Sequence, residues 1–327
     1  MIIMSVNDYA KYSFLDIVGD YVKEMGISNI AELDDPKYNN AFERAVERIR
    51  NSVDNKLYIP NLEEPNTEII SFLISTILLK LSNNIRLIKR FALYESKGVE
   101  KSLGLDISKN NEIAVEIINS FYSDTMKKDG KYYSISIPNY LTHSTDLNAP
   151  EWKLVNQRID SGYVLLDRSS LVRLLRTQIS NYLISKIKKM SVKPTQKLAD
   201  YTKKIEGMLE PAEFKMSKEY PPCVKHAISV MNRGDNLSHS GRLLLATYMF
   251  ARGMEIENII EFYKNAPDFN KSVTTYQLEQ LSGEVGSGIK YNCPSCSNLD
   301  TKGLCYKTEE CGRIVNPIQF KSFSSKN

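Results

Sequence analysis

The cysteines are the residues whose type and spacing could do chemistry in this chain. Cys293, Cys296, Cys305 and Cys311 fall within nineteen residues near the end, and Cys223 stands seventy residues before the first of them. Thiolates are soft ligands that suit zinc and iron–sulfur groups alike. "CPSC" is a compact Cys-x2-Cys knuckle, whereas Cys305 and Cys311 have five residues between them, longer than the usual second knuckle. On spacing alone the cluster admits a tetrahedral zinc, an iron–sulfur group or unligated thiols. Cys223 follows Pro221 and Pro222 at an expected helix start. A lone cysteine there is ordinarily a small buried hydrophobe. Yet the tail from Glu284 is rich in loop and poor in apolar residues, so it needs an anchor. A metal bridging Cys223 to the tail would be one.

A second set of candidates binds anions rather than metals. In "NLSHSGRLLL", His239 and Arg242 are three apart at the start of an expected helix and share its face. A helix N-terminus with a basic residue suits a phosphate. Competing readings are a surface ion pair for Arg242 and a capping or core role for His239. Polymerase chemistry needs carboxylates gathered on divalent ions. The acids offer only Asp34–Asp35 in an expected turn and Asp167 after an expected strand. No phosphate-binding glycine loop is present, so the chain is expected to have no active site of its own.

These residues need elements to hold them. The chain has 327 residues, 42% hydrophobic and 25% charged, with 43 Lys and Arg against 39 Asp and Glu. That length makes two or three domains, and a net charge of +4 permits a nucleic-acid partner without requiring one. The most apolar window, Phe72 to Leu81, is half of what a membrane span needs, and no leader is visible, so the chain reads as intracellular and soluble.

The first half reads as helical. Helices are expected over 8–26, over "NNAFERAVERIRNS", and over "NTEIISFLISTILLKLSNN" with a cap at Asn66 or Thr67. The last is apolar nearly all round, which means a buried central helix or one shared with a partner. "NIRLIKRFALYESKG" follows it. Between 131 and 166 the period shortens, and "KYYSISIPNYL", "WKLVNQRI" and "GYVLLD" suggest a small antiparallel sheet turning at Asp160–Gly162. A long helix is then expected from Ser169 to Met190. From Arg176 to Lys204 one Arg and seven Lys face only Asp200, as a solvated helix face or a phosphate-backbone contact. Prolines 211, 221 and 222 mark a boundary. The organisation expected is a mainly α N-terminal domain with a small antiparallel sheet (α+β) over 1–209, a linker at 210–220 and an all-helical C-terminal domain over 221–327. That last part is nearly neutral, with 14 Lys and Arg against 13 Asp and Glu from Glu210 on. Its binding must therefore depend on a few placed residues.

"YPPCVKHAI", "LSHSGRLLLATYMFARGMEIENIIEFY", "TTYQLEQLSG" and "KYNCPSCSNLDTKGLCYKTEECGRIVNPIQF" together resemble the large, non-catalytic subunit of archaeal and eukaryotic DNA primase. The final spacing is similar to the archaeal branch. The likeness is specific over Tyr220 to Phe320 and diffuse upstream. It implies a C-terminal domain built around a [4Fe–4S] cluster on Cys223, Cys296, Cys305 and Cys311, with Cys293 outside the ligand set. It implies that His239 and Arg242 meet the 5′-triphosphate end of a primer, and that Tyr276 and Lys290 face nucleotide or template. Gln280 and Ser238 stand where relatives often carry other residues.

The resemblance further implies a small catalytic primase subunit held by the N-terminal region, a single-stranded DNA template with primer and nucleotides, room for a third subunit, and no membrane. The sheet, with Tyr132, Tyr133, Tyr140 and Trp152, together with the helix after it, is the first expected partner surface, and the helix from Thr67 to Leu81 the second. The rival reading is a zinc-stapled nucleic-acid-binding adaptor using the basic run.

Overall fold

The computed structural model describes residues 4–109, 112–122, 126–128, 132–144, 147, 150–209, 217, 219–286 and 288–320. The chain divides into two compact units, Met1–Leu209 and Glu210–Asn327.

The first unit opens with α1 (Val6–Lys11) and α2 (Ile17–Glu24), where one continuous helix was expected. The break comes at Tyr12, which is wholly buried and donates its hydroxyl to Asp106 at 2.6 Å. Satisfying that buried phenol overrides the helical period. The core is then built by α3 (Asn39–Val53), α4 (Pro65–Ser82) and α5 (Ile85–Ser108). Pro65 takes the first helical position of α4 and Glu64 the cap, two or three residues ahead of the expected cap. Asn83 at φ +49 ends α4, and the Asn84 side chain caps α5 by accepting from the backbone of Arg86 and Leu87.

The chain continues through α6 (Glu112–Phe121), β1 (Met126–Lys128), β2 (Tyr132–Ser136), α7 (Ile137–Ser144), β3 (Arg158–Asp160), β4 (Tyr163–Leu166), α8 (Arg168–Lys189) and α9 (Gln196–Ile205). The four strands form one antiparallel sheet in the order β1-β2-β4-β3. Asp160 pairs with Tyr163, so the β3–β4 loop is Ser161–Gly162, at φ +50 and +86. Two successive positive φ values define the hairpin turn that matches strand twist. Most of "WKLVNQRI" is short 3₁₀ turns instead of strand, and Pro138 lies in α7 rather than at a strand end.

α4 is the central helix of this unit. It packs on α1, α3, α8 and α9, and Ile69, Ile74, Ile77, Leu78 and Leu79 are at most 1% exposed. The apolar circumference is used inside the unit, which removes this helix from the partner surfaces expected above. A charged network crosses the same core. Arg48 is buried and donates to both oxygens of Glu95, at 2.6 and 2.9 Å, and to Ser71 Oγ at 3.2 Å. Glu68, also buried, accepts from Arg44 and, at 2.8 Å, from Tyr58. Such pairing gives each of these interior charges a partner.

The second unit contains α10 (Pro222–Asn232), α11 (His239–Ala251), α12 (Ile256–Tyr263), α13 (Lys271–Ser282) and the short α14 (Cys296–Thr301). Its core joins Val224, Ile228, Leu244, Leu245, Tyr248, Ile259 and Leu299. Pro222 opens α10, where its missing N–H costs nothing. Ser238 caps α11 and Asn270 caps α13, each accepting from a backbone N–H three residues on. Among the described residues, no helix is long and apolar enough to cross a membrane.

Candidate metal centre and anion site

Cys223 lies in the first turn of α10, and Cys296 is the first residue of α14. Cys305 and Cys311 sit in the turns beyond α14. All four line one cavity of about 70 Å³, with Pro221, Pro222, Leu299, Tyr306, Lys307, Ile314 and Pro317 as its other walls. Backbone bonds fix this closure. Cys296 N donates to Val315 O at 2.8 Å, and Leu304 N to Leu299 O at 2.8 Å. The thiols are close enough to perturb each other. Burial, and then Cys296 and Cys305, push the Cys223 thiol up to about 12. Burial, and then Cys305 and Cys311, raise Cys296. The stretch from 223 to the tail thus closes on itself at the cysteines.

Cys293 is buried and does not line that cavity. It belongs to the apolar core of the unit, and its carbonyl accepts from Asn316 Nδ2 at 3.0 Å. Burial, and then the nearby Cys223, push its thiol up to about 12. Among the described residues, no three His, Cys, Asp or Glu side chains are grouped as the ligands of one metal ion. The four thiols share one chamber.

Sequence reasoning did not single out His226 and Tyr306. Their rings stack with centroids 3.8 Å apart and planes 18° off parallel. His226 is three residues after Cys223 on α10, and Tyr306 directly follows Cys305, so sequence adjacency to the two ligand candidates was the available signal. Burial, and then Arg233, lower the pKa of His226.

The candidate anion site is at the start of α11. His239 is its first residue and exposed. Arg242, one turn on, donates Nε to Leu237 O at 3.0 Å and Nη2 to Asn236 Oδ1 at 2.8 Å. Nη2 also meets Asp268 Oδ1 at 2.7 Å. The guanidinium therefore braces α11 against the turn between α12 and α13. Tyr276 on α13 is 54% exposed, and its hydroxyl accepts from Gln280 Nε2 at 3.0 Å. It faces solvent and not the core. Lys290 is exposed in the segment that runs back along the end of α13, where Tyr291 N donates to Leu281 O at 2.9 Å. All four of these residues lie in the second unit.

The first unit uses its notable charges internally. Asp35 caps a 3₁₀ turn, Asp34 accepts from Thr195 at 2.7 Å, and Asp167 caps α8. In the basic run, Arg176 pairs with Glu100, Lys186 with Asp16 and Lys204 with Glu43, while Lys197 donates to the carbonyls of Leu33, Asp34 and Asp35. These contacts tie part of the run to the unit itself, where a solvated helix face or a phosphate-backbone contact was expected. Tyr133 on β2 and Tyr140 on α7 are buried, and Tyr140 donates to Trp152 O at 2.7 Å. They are core residues, so the expected exposed aromatic surface does not include them. An apolar cavity of about 510 Å³ lies instead between Phe14, Ile17, Ile117, Phe121 and Tyr182.

The thiol-lined chamber and the start of α11 lie in the second unit, and comparison with known proteins covers both. The family model for the C-terminal domain of the eukaryotic and archaeal DNA primase large subunit matches residues 215–324, which contain the whole site. The similarity extends further. The DNA primase large subunit PriL of Methanocella arvoryzae is 28% identical over 97% of this chain and 88% of its own. That of Methanosarcina barkeri is 25% identical over 97% of this chain and 79% of its own, and that of Thermoplasma acidophilum 27% over 77% and 78%. Over residues 215–324 the chain matches the DNA primase large-subunit family, and over most of its length it is similar to archaeal DNA primase large subunits.

Proposed function

We propose that this chain is the non-catalytic large subunit of a heteromeric primase and that it carries a [4Fe–4S] cluster on Cys223, Cys296, Cys305 and Cys311. Its N-terminal unit would bind the small catalytic subunit. Its C-terminal unit would hold the initiating nucleotides, the primer 5′ end and the template. Holding two reactants together raises the rate of the first bond without any catalytic group of its own.

The observation that carries the reading is the shared chamber of those four thiols, with Cys223 brought in from far upstream. The donor set is all thiolate, which suits an iron–sulfur group. A single zinc needs its sulfurs about 2.3 Å from one point. The same four thiols line one cavity, and metal analysis of the purified chain decides between zinc and an iron–sulfur group. When bound, the cluster would act as a staple between α10 and the tail. His239 and Arg242 at the capped start of α11 supply a phosphate contact, and the exposed ring of Tyr276 with Lys290 supplies a nucleotide-facing surface.

The test is co-expression with the small subunit, followed by iron analysis and a de novo primer-synthesis assay with and without this chain. The expected result is an iron-bearing heteromer that initiates where the small subunit alone does so poorly. Equal initiation by the small subunit alone overturns the functional reading, and a colourless chain holding one zinc overturns the cofactor.

A further inference from the structure

The ring stack of His226 on Tyr306 joins two segments that the chain separates by eighty residues. One is the first turn and a half of α10, which starts at the Pro221–Pro222 wall of the cysteine chamber. The other is the turn after Cys305, where Tyr306 and Lys307 also line the chamber. Residues three apart on a helix lie on one face, so His226 presents its ring on the side from which Cys223 enters. The contact is made by protein alone. It would hold the Cys305 segment onto α10 whether or not a metal sits between them. Tyr306 is 39% exposed and also lines the chamber, so it stands between the chamber and water.

We propose that the His226–Tyr306 stack is a clasp that closes the thiol chamber against solvent and sets how fast bound metal escapes. The inference rests on the iron–sulfur reading given above. Assembly of the group depends on the four thiols. Escape requires the Cys305 segment to lift from α10, and the stack opposes that movement. An aromatic pair's contribution beyond area burial corresponds to a factor of roughly two to ten in an opening equilibrium.

The experiment uses the full chain reconstituted with iron and sulfide without oxygen. Iron per chain is measured first, then the rate at which iron passes to a chelator, followed by the loss of visible absorbance. Tyr306→Ala and His226→Ala are expected to bind iron as the parent does and to release it roughly two- to tenfold faster. Tyr306→Phe keeps a ring for stacking and is expected to release iron at the parent rate. Tyr306→Ala combined with His226→Ala is expected to be no faster than either alone, since both remove one contact. Full iron with an unchanged release rate in both alanine variants overturns the clasp and leaves the iron–sulfur reading standing. Additive rates in the combined variant also overturn it. A parent chain that takes up no iron overturns both readings. Should Tyr306→Ala misfold, the comparison of His226→Ala with Tyr306→Phe decides the matter in the same way.

Discussion

Arg242 and Asp268 form an ion pair, Nη2 to Oδ1 2.7 Å, that ties the start of α11 to the turn before α13. The guanidinium proposed to meet phosphate therefore already has a carboxylate partner at the surface. Phosphate must share Arg242 with Asp268 or displace it. Removing the competitor and removing the arginine should have opposite effects. Arg242→Ala is expected to weaken binding of a 5′-triphosphate oligonucleotide by about tenfold or more, the scale of a hydrogen bond to a charged group. Asp268→Asn keeps the shape and removes the competing charge, so it should bind equally or more tightly. Fluorescence anisotropy measures both. If Asp268→Asn weakens binding as much as Arg242→Ala does, the pair acts only as a brace.

The two buried thiols have different surroundings. Cys223 lines the chamber, and Cys293 packs in the apolar core with its carbonyl held by Asn316. Cys223→Ser is expected to lose most of the iron from the reconstituted chain. Cys293→Ser should keep near-parental iron and lose a modest amount of stability. Iron and sulfide analysis reads both, and the reverse pattern would move Cys293 into the coordination sphere.

Much of this was legible before the fold was known. The hairpin at Ser161–Gly162, the long helix after it and the apolar helix of α4 follow from local period and turn chemistry. The "CPSC" knuckle alone would have taken in Cys293, which lies outside the chamber, whereas the four cysteines that line it are the ones the family resemblance implied. What was not legible is tertiary. The break at Tyr12 depends on Asp106, ninety-four residues away. The burial of Tyr133 and Tyr140 depends on how the sheet meets the helices around it, which a period-two pattern does not reveal. The Asp268 partner of Arg242 and the Tyr306 partner of His226 are likewise long-range pairs, and no motif announces them.

The buried network of the first unit gives a stability prediction. Arg48 and Glu95 are 3% and 8% exposed and share two hydrogen bonds. Glu95→Ala leaves the guanidinium inside without its main counter-charge. Breaking one side of such a pair costs about 3–5 kcal/mol. Denaturant unfolding should show that loss, whereas replacement of the exposed Lys23, paired with Asp20, should change stability by about 0–1 kcal/mol.

Asp167 gives a pH prediction with a definite sign. Its Oδ1 accepts from Ser170 N at 2.7 Å and Ser169 Oγ at 2.8 Å, and the backbone bond is the main reason its carboxyl titrates below the usual range. A depressed folded value means that the cap stabilises α8 fully above the unfolded value, about 3.9. The contribution is lost as pH falls through the folded value. Asp167→Asn keeps a capping oxygen and removes the charge. Its stability relative to the parent should be lowest near neutral pH and converge with the parent in acid, as read by thermal unfolding across pH.

Gly283 couples the end of α13 to the segment bearing Lys290. It adopts φ +85, and a Cβ placed there would stand 3.1 Å from both Gly288 O and Lys290 N. Only glycine meets both demands, the left-handed backbone and the close approach. Gly283→Ala is expected to cost about 1–2 kcal/mol from the backbone alone. The added methyl must also push the 288–290 segment away from α13, shifting Lys290 and Tyr291 relative to Tyr276. If these residues form one nucleotide-facing surface, the variant should bind single-stranded template less tightly than Lys290→Ala does while retaining its iron. Template affinity equal to the parent in Gly283→Ala would mean that the segment's position does not matter for binding.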